Sequence, residues 1–118
     1  MYKDLTVYQK SRILVNKIYK CSSLFPRSEI SGLTSQLRRA AVSVILNIVE
    51  GESRNSTKEY LNFLNISYGS INEVKVCLEI SLDLKYIDSN TFQELFSLCE
   101  EVSKLLYSYK KTLKLKIP

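Results

Sequence analysis

The segment from Leu33 to Gly51 constrains the fold more than any other part of the sequence. It reads LTSQLRRAAVSVILNIVEG. Its apolar residues recur at intervals of three and four, the spacing of one face of an α-helix, and a second apolar face lies beside the first. The first face comprises Leu33, Leu37, Ala40, Ala41, Val44 and Ile48, and the second comprises Val42, Ile45, Leu46 and Val49. The sequence therefore predicts a helix that is buried on two sides.

A line of polar residues runs along the same helix between its apolar faces. This polar line comprises Gln36, Arg39, Ser43, Asn47 and Glu50. Polar residues on an amphipathic helix usually form a solvent-exposed ridge, and that is one interpretation of the line. The other is burial, because apolar residues flank the line on both sides and buried polar groups need hydrogen-bond partners. We expect these partners within a helical bundle or between subunits.

The composition is typical of a soluble protein with one helical domain. The chain has 118 residues, of which 45% are hydrophobic and 25% charged, and only three are glycine and two proline. So few turn-forming residues favour long helices over a sheet. No segment has the length of a membrane span, and the N-terminal residues lack the apolar core of a signal peptide. We therefore expect a cytoplasmic protein that has no membrane partner.

Hydrophobic periodicity and turn signals predict four helices, at about residues 4–22, 30–51, 56–84 and 90–115. Four helices of this length joined by short loops form an up-down-up-down antiparallel bundle, so residues 1–118 are predicted to be a single all-α domain. Phe25-Pro26 ends the first helix, because proline disfavours a helical conformation at the preceding residue. A short helical turn is expected around Ser28 to Ile30.

The predicted helix beginnings rest on capping signals. Asp4 is expected to cap the first helix, since a side-chain oxygen at this position accepts a hydrogen bond from a free backbone amide. Ser56 and Glu59 have the spacing of a capping box at the start of the third helix. Thr91 and Glu94 repeat that spacing before the fourth helix.

The cysteines and the lack of histidine restrict the chemistry that the chain can perform. Cys21, Cys77 and Cys99 are odd in number and lie in apolar patterns, which indicates buried free thiols in a reducing compartment. Without histidine or paired cysteines, neither the usual zinc site nor the usual general base can form. Carboxylates such as Glu50, Glu59 and Glu73 could act as acids, bases or metal ligands, but di-iron bundles also need Glu-x-x-His pairs. We therefore expect no metal, no cofactor and no enzymatic activity.

The second and third helices are predicted to place a polar network between them. If they fold back on each other, residues whose numbers sum to about 109 lie at the same height. Arg39 and Glu73 are then expected to form a partly buried ion pair, and Gly69 lets the two backbones approach. The predicted network comprises Gln36, Arg39, Ser43, Asn47, Glu50, Ser70 and Glu73. An intrachain network is the preferred interpretation, ahead of a subunit-interface network and of an active site.

Basic residues outnumber acidic ones by 17 to 12, which gives a net charge of +5, and the excess is uneven. Antiparallel packing places the start of the first helix beside the end of the fourth, which forms a basic end. This lysine surface comprises Lys3, Lys10, Arg12, Lys110, Lys111, Lys114 and Lys116. It could bind RNA or DNA phosphates without reading sequence, with Tyr107 and Tyr109 available for base stacking. Alternatively, the lysines only solubilise the helix ends and interact with the helix dipole.

Several motifs along the chain resemble one family of helical proteins. They are Phe25-Pro26, the run from Gly32 to Ala41, Ser43-Val44, Asn47-Ile48 with Glu50-Gly51, and Gly69-Ser70 with Glu73. Together they resemble the four-helix-bundle proteins of the 23S ribosomal RNA intervening-sequence family. That family also includes the accessory variability determinant of diversity-generating retroelements, which works with a reverse transcriptase and its RNA.

The resemblance implies a homopentameric ring of bundles without catalytic activity and with a role tied to nucleic acid. We therefore expect a non-enzymatic, nucleic-acid-associated scaffold or accessory factor that contacts phosphates through its basic helix ends. The alternative is a structural adaptor ring that recruits a protein partner such as a reverse transcriptase.

Overall fold

The structure is a computed structural model that describes all 118 residues, and it contains four α-helices and no strands, as predicted. The helices are α1 (Thr6–Ser22), α2 (Leu33–Glu52), α3 (Thr57–Asp83) and α4 (Ser89–Lys114). Two short 3₁₀ turns, Tyr2–Asp4 and Arg27–Glu29, precede α1 and α2. The molecule is elongated, with principal extents of 49 × 24 × 21 Å. None of the helices combines the length and the apolar character that crossing a membrane requires.

The starts of α1 and α2 differ from the predicted positions. Asp4 belongs to the first 3₁₀ turn, and α1 begins after Leu5 without a side-chain cap, so the predicted Asp4 cap is wrong. Helix α2 begins at Leu33 because the backbone of Gly32, with φ −106° and ψ −115°, is not helical. The residues before Leu33 therefore do not join the helix. Glu29 Oε1 accepts a hydrogen bond of 3.0 Å from the Leu33 N–H.

The start of α3 has the predicted cap, whereas the start of α4 does not. Ser56 Oγ accepts a hydrogen bond of 3.1 Å from the Glu59 N–H, as the capping-box spacing predicts. For α4 the cap is Asp88, whose Oδ1 accepts a hydrogen bond of 2.8 Å from the Thr91 N–H. Thr91 is therefore not the cap residue. Its backbone N–H donates to the cap, because Asp88 lies three residues earlier and accepts this hydrogen bond.

Each helix packs against two others, so that α1 and α3 both contact α2 and α4. Contacts between α2 and α3 join Gln36 to Glu73 and Ser43 to Ser70, so these two helices run in opposite directions. The core is one continuous apolar cluster. Its largest fully buried side chains are Leu14, Ile18, Leu37, Ile48, Leu64, Ile71, Leu78, Leu95 and Leu106.

Only one of the two predicted apolar faces of α2 is buried within the chain. Leu37, Val44 and Ile48 are fully buried, whereas Leu46 is 59% exposed. Val42, Ile45 and Val49 are half-buried. The prediction of burial on two sides is therefore wrong for the single chain, because α2 contacts only α1 and α3 among the long helices and its outer side faces away from both.

Candidate functional site

The middle of the polar line forms a hydrogen-bonded group between α2 and α3. The hydroxyl oxygens of Ser43 and Ser70 are 2.8 Å apart. Asn47 Nδ2 donates to the Ser43 carbonyl at 2.8 Å and to Ser43 Oγ at 3.1 Å. Ser70 is buried, and Ser43 and Asn47 are half-buried. This part of the predicted network therefore lies within the chain and has its hydrogen bonds made.

A further hydroxyl in this contact was not predicted. Ser67 is fully buried, and its Oγ donates a hydrogen bond of 2.6 Å to the Val44 carbonyl. Its position three residues before Ser70, on the same face of α3, is the sequence signal that could have found it. We call Ser43, Asn47, Ser67 and Ser70 the hydroxyl seam. Its short side chains allow α2 and α3 to lie close together while their polar atoms stay paired.

The close approach of α2 and α3 occurs at Gly51 and not at Gly69 as predicted. A Cβ atom added at Gly69 would meet nothing within 4 Å, so the prediction that this residue permits the approach of α2 and α3 is wrong. The residue that permits it is Gly51, which is buried inside the last turn of α2. A Cβ there would lie 2.8 Å from Tyr60 Cδ1 and 2.9 Å from Phe63 Cβ.

The charged members of the polar line are exposed, and the predicted ion pair between Arg39 and Glu73 does not form. Glu73 Oε2 instead accepts a hydrogen bond of 3.4 Å from Gln36 Nε2, and Glu50 Oε2 lies 2.7 Å from Arg54 Nη2. Arg39 is directed to the other side of α2, where it lines a hollow together with Tyr19 of α1. Exposure keeps these charges hydrated and avoids the cost of burying them.

The predicted basic residues are distributed along α1 and α4. The start of α1 does lie beside the end of α4, where Thr6, Ser108 and Thr112 line one hollow. Lys111 and Lys114 occupy the last turn of α4 and Lys116 follows it, while Lys3 lies in the first 3₁₀ turn. Arg12 is exposed on α1.

Two lysines of the lysine surface already have contacts within the chain. Lys10 Nζ lies 2.9 Å from Glu101 Oε1, and Lys110 Nζ lies 4.6 Å from the centroid of the Tyr68 ring. Tyr109, predicted to be available for stacking, is half-buried, with its ring centroid 5.6 Å from that of Tyr60. Tyr107 is 60% exposed and remains accessible.

All three cysteines are free thiols. Burial raises the pKa of Cys21 to about 11 and that of Cys99 to about 12. Burial, together with the nearby Glu73 carboxylate, also raises the pKa of Cys77. These thiols are protonated near neutral pH and therefore poor nucleophiles. The structure places no three or more Cys, Asp or Glu side chains close enough together to hold a metal ion.

Comparisons with known proteins agree with the four-helix fold. The family model of the 23S rRNA-intervening sequence protein matches residues 3–108. The chain belongs to this family. Membership confirms the resemblance that the motifs of α2 and α3 indicate.

A solved structure shows the same fold as this member of the 23S rRNA-intervening sequence family. It is the crystal structure of a protein with unknown function from the S23 ribosomal protein family of Bacteroides thetaiotaomicron. The two chains are 28% identical, the TM-score is 0.81, and the alignment covers 90% of this chain and 99% of that chain. No curated protein sequence matches the chain.

Proposed function

We propose that the protein is a non-catalytic scaffold or accessory factor that binds RNA or DNA phosphates through the lysine surface. The observation that carries this proposal is the charge of the end of α4. From Val102 to Pro118 the chain has five lysines and no acidic residue. The last carboxylate before this segment, Glu101, is already paired with Lys10. A run of lysines without an acidic residue in the same segment supports binding to a polyanion.

Self-association is the second part of the proposal. Large apolar side chains remain exposed on α2, on α3 and at the residue that follows α3: Leu46 at 59%, Ile66 at 52%, Ile80 at 41% and Leu84 at 49%. We call these four residues the apolar face. An exposed apolar face of this kind supports contact with another copy of the chain, and the proposed assembly is a homopentameric ring of up-down-up-down bundles. Glu73, which belongs to no ion pair within the chain, is available for an ion pair across such an interface.

Charge and salt dependence test the nucleic-acid part of the proposal. We expect binding of single-stranded RNA or DNA to weaken steeply as salt increases. We expect a lower affinity when Lys110, Lys111, Lys114 and Lys116 are all replaced by Gln. The slope of log affinity against log salt concentration should also become shallower, by about 0.7 for each phosphate of a single strand that is no longer neutralised. The matched control replaces Lys17, Lys20, Lys58 and Lys85 by Gln, which removes the same charge elsewhere and should leave the salt slope nearly unchanged. Equal binding by the wild type and the α4 variant would exclude the lysine surface.

Light scattering tests the assembly. We expect a mass near five chains for the wild type. The Leu46→Gln, Ile66→Gln variant should dissociate, whereas the control Leu24→Gln, Leu115→Gln, which changes two apolar residues each 84% exposed, should not. A monomeric wild-type protein would contradict the ring.

An adaptor ring that recruits a protein partner, such as a reverse transcriptase, is the second candidate function. The apolar face favours it, because such a face also suits a different protein. A pentamer whose nucleic-acid binding lacks steep salt dependence would support the adaptor over the phosphate-binding scaffold. For either function we propose a cytoplasmic location, which the three free thiols support.

A further inference from the structure

Two adjoining hollows lie where α1 ends and α2 begins. Their volumes are about 350 and 330 Å³, and both are lined by Ile30, Thr34 and Arg38. Arg39 completes the lining of one hollow and Arg27 that of the other. No aspartate or glutamate lines either hollow. We call this site, defined by Arg27, Thr34, Arg38 and Arg39, the arginine cleft.

Arg38 is held in place at the centre of the arginine cleft. Its Nε donates a hydrogen bond of 2.8 Å to Ser22 Oγ, and its Nη2 donates one of 3.4 Å to the Tyr19 carbonyl. Its Cζ also lies 4.7 Å from the centroid of the Tyr19 ring. A guanidinium has five N–H donors, so these two bonds orient the group and leave the others free for a ligand.

The other two arginines of the cleft have no anionic partner in the chain. Arg27 and Arg39 are exposed, and neither belongs to an ion pair. The nearest acid in the sequence, Glu29, is occupied elsewhere. Its carboxylate accepts hydrogen bonds from the Leu33 N–H at 3.0 Å and from the Tyr86 hydroxyl at 2.9 Å, which lower its pKa. Glu29 remains a negative charge at the start of α2, but three arginines outnumber it, so the net charge of this region stays positive.

Thr34 adds neutral donors to the cleft. It lines both hollows, is only 3% exposed, and its hydroxyl makes no hydrogen bond within the chain. It also lies in the first turn of α2, where Glu29 satisfies the N–H of Leu33 but the N–H groups of Thr34 and Ser35 have no acceptor. Free amides at a helix start favour an anion, and here Thr34 and Arg38 line the two hollows beside this helix start.

We propose that the arginine cleft binds a phosphate monoester, either the terminal phosphate of a nucleic acid or a free nucleotide. Near neutral pH a monoester carries a charge of about −1.5 to −2 and three terminal oxygens, which match several guanidinium groups and neutral donors at once. An internal phosphodiester carries one charge and presents only two free oxygens. The cleft lies at the opposite end of α1 from the contact with the end of α4, so it does not depend on the lysine surface.

The test compares a short single-stranded RNA carrying a 5′-phosphate with the same RNA carrying a 5′-hydroxyl, by titration calorimetry at fixed salt. We expect the wild type to bind the phosphorylated form about tenfold more tightly, a ratio typical of losing charge-assisted hydrogen bonds. In the Arg27→Gln, Arg39→Gln variant this ratio should fall to about twofold or less. The control Lys58→Gln, Lys85→Gln removes the same charge and should keep the ratio.

The outcomes distinguish a free nucleotide from an RNA terminus as the ligand. They also distinguish the arginine cleft from the lysine surface. Tighter binding of adenosine monophosphate than of the phosphorylated RNA would identify a free nucleotide as the ligand, whereas tighter binding of the phosphorylated RNA would identify the RNA terminus. The variant of the four α4 lysines should weaken both RNAs equally and preserve the ratio, so failure of the lysine surface is distinguishable from failure of the cleft. Equal affinity of the wild type for both RNAs, or an unchanged ratio in the arginine variant, would overturn the proposal.

Discussion

The hydroxyl seam and the outer rim of the α2–α3 pair are neighbouring regions with opposite properties. The seam is formed by short side chains whose polar atoms bond one another or a carbonyl at distances of 2.6–3.1 Å. The rim, which we define as Gln36, Arg39, Gly69 and Glu73, is more open to solvent. The one hydrogen bond between its side chains is the 3.4 Å contact of Gln36 with Glu73.

The difference shows that size and charge decide which polar residues enter a helix contact. A serine hydroxyl can be buried at little cost once it is paired, and it leaves the backbones close together. Burying an arginine and a glutamate would require removing two charges from water, a penalty of several kcal/mol per ion that their attraction need not offset. The charged residues therefore stay at the rim, where exposed pairs contribute about 0–1 kcal/mol.

The largest expected effect comes from adding a methyl group to the close contact. Gly51→Ala should lower the free energy of unfolding by about 2 kcal/mol, because the new Cβ would lie 2.9 Å from Phe63 Cβ and force α2 and α3 apart. Urea denaturation followed by circular dichroism measures this. A neutral result would mean that the aromatic side chains move aside and that the contact is not tightly packed.

Removing one hydroxyl from the seam should have the next largest effect. Ser43→Ala leaves the buried Ser70 hydroxyl without its 2.8 Å partner, so we expect a loss of about 1.5 kcal/mol. The Ser43→Ala, Ser70→Ala double variant should lose less than the sum of the single losses, and a double-mutant cycle in urea measures this coupling. Additive losses would show that the two hydroxyls do not interact.

At the rim, adding a methyl group should stabilise the protein. Gly69→Ala meets no atom within 4 Å and replaces glycine inside α3, so the free energy of unfolding should rise by about 0.8 kcal/mol from helix propensity. Unfolding in urea at several protein concentrations is the measurement. If Gly69→Ala instead destabilises the protein in a concentration-dependent way, Gly69 lies at a contact between copies.

Replacing Arg39 should have the smallest effect on the stability of a single chain. The interpretation of Arg39 and Glu73 as a buried pair predicts that Arg39→Ala costs about 3 kcal/mol, whereas the exposed positions in the structure predict less than about 0.5 kcal/mol. Thermal and urea unfolding of the dissociated Leu46→Gln, Ile66→Gln background measures the intrachain effect. A large loss of stability in the dissociated background would contradict the exposed position of Arg39. A large loss of stability in the assembled protein alone would place Arg39 at the subunit interface.

Low pH should weaken the hydrogen bonds that the Glu29 carboxylate accepts before the start of α2. Hydrogen bonds from the Leu33 N–H and the Tyr86 hydroxyl lower the pKa of Glu29 below its ordinary value of 4.5. Because the folded-state pKa is the lower one, the stabilisation by Glu29 is complete above the unfolded pKa and disappears as the pH falls through the folded pKa. Between about pH 5 and pH 2, Glu29→Gln should therefore lose less stability than the wild type, and the exposed control Glu79→Gln should behave like the wild type. Parallel curves for all three proteins would contradict the role of Glu29.

Local patterns in the sequence were sufficient for much of the fold. The hydrophobic periodicity predicted four helices, and the Ser56–Glu59 spacing predicted the cap of α3, because both depend on residues within a few positions of each other. The Asp4 cap was wrong because that aspartate entered a separate 3₁₀ turn. The motifs of α2 and α3 also identified the family.

The candidate sites were less predictable, because helical periodicity states which residues share a face but not how far a neighbouring helix is rotated. The predicted network correctly included Ser43 and Ser70 but did not pair them, and it wrongly paired Arg39 with Glu73 and assigned the close approach to Gly69. Arg39 lines the hollow beside Tyr19 of α1 and makes no ion pair with Glu73.

The sequence by itself determined the helical class, the number of helices and the family, since these follow from local spacing and residue identity. Only the tertiary structure decided which polar residues are buried, that Gly51 and not Gly69 lies at the close contact, and that Arg38 lines one hollow with Arg39 and an adjoining hollow with Arg27. The physical reason is that burial, clearance and charge clustering depend on the relative rotation of packed helices, and this rotation is set by the packing of the whole core.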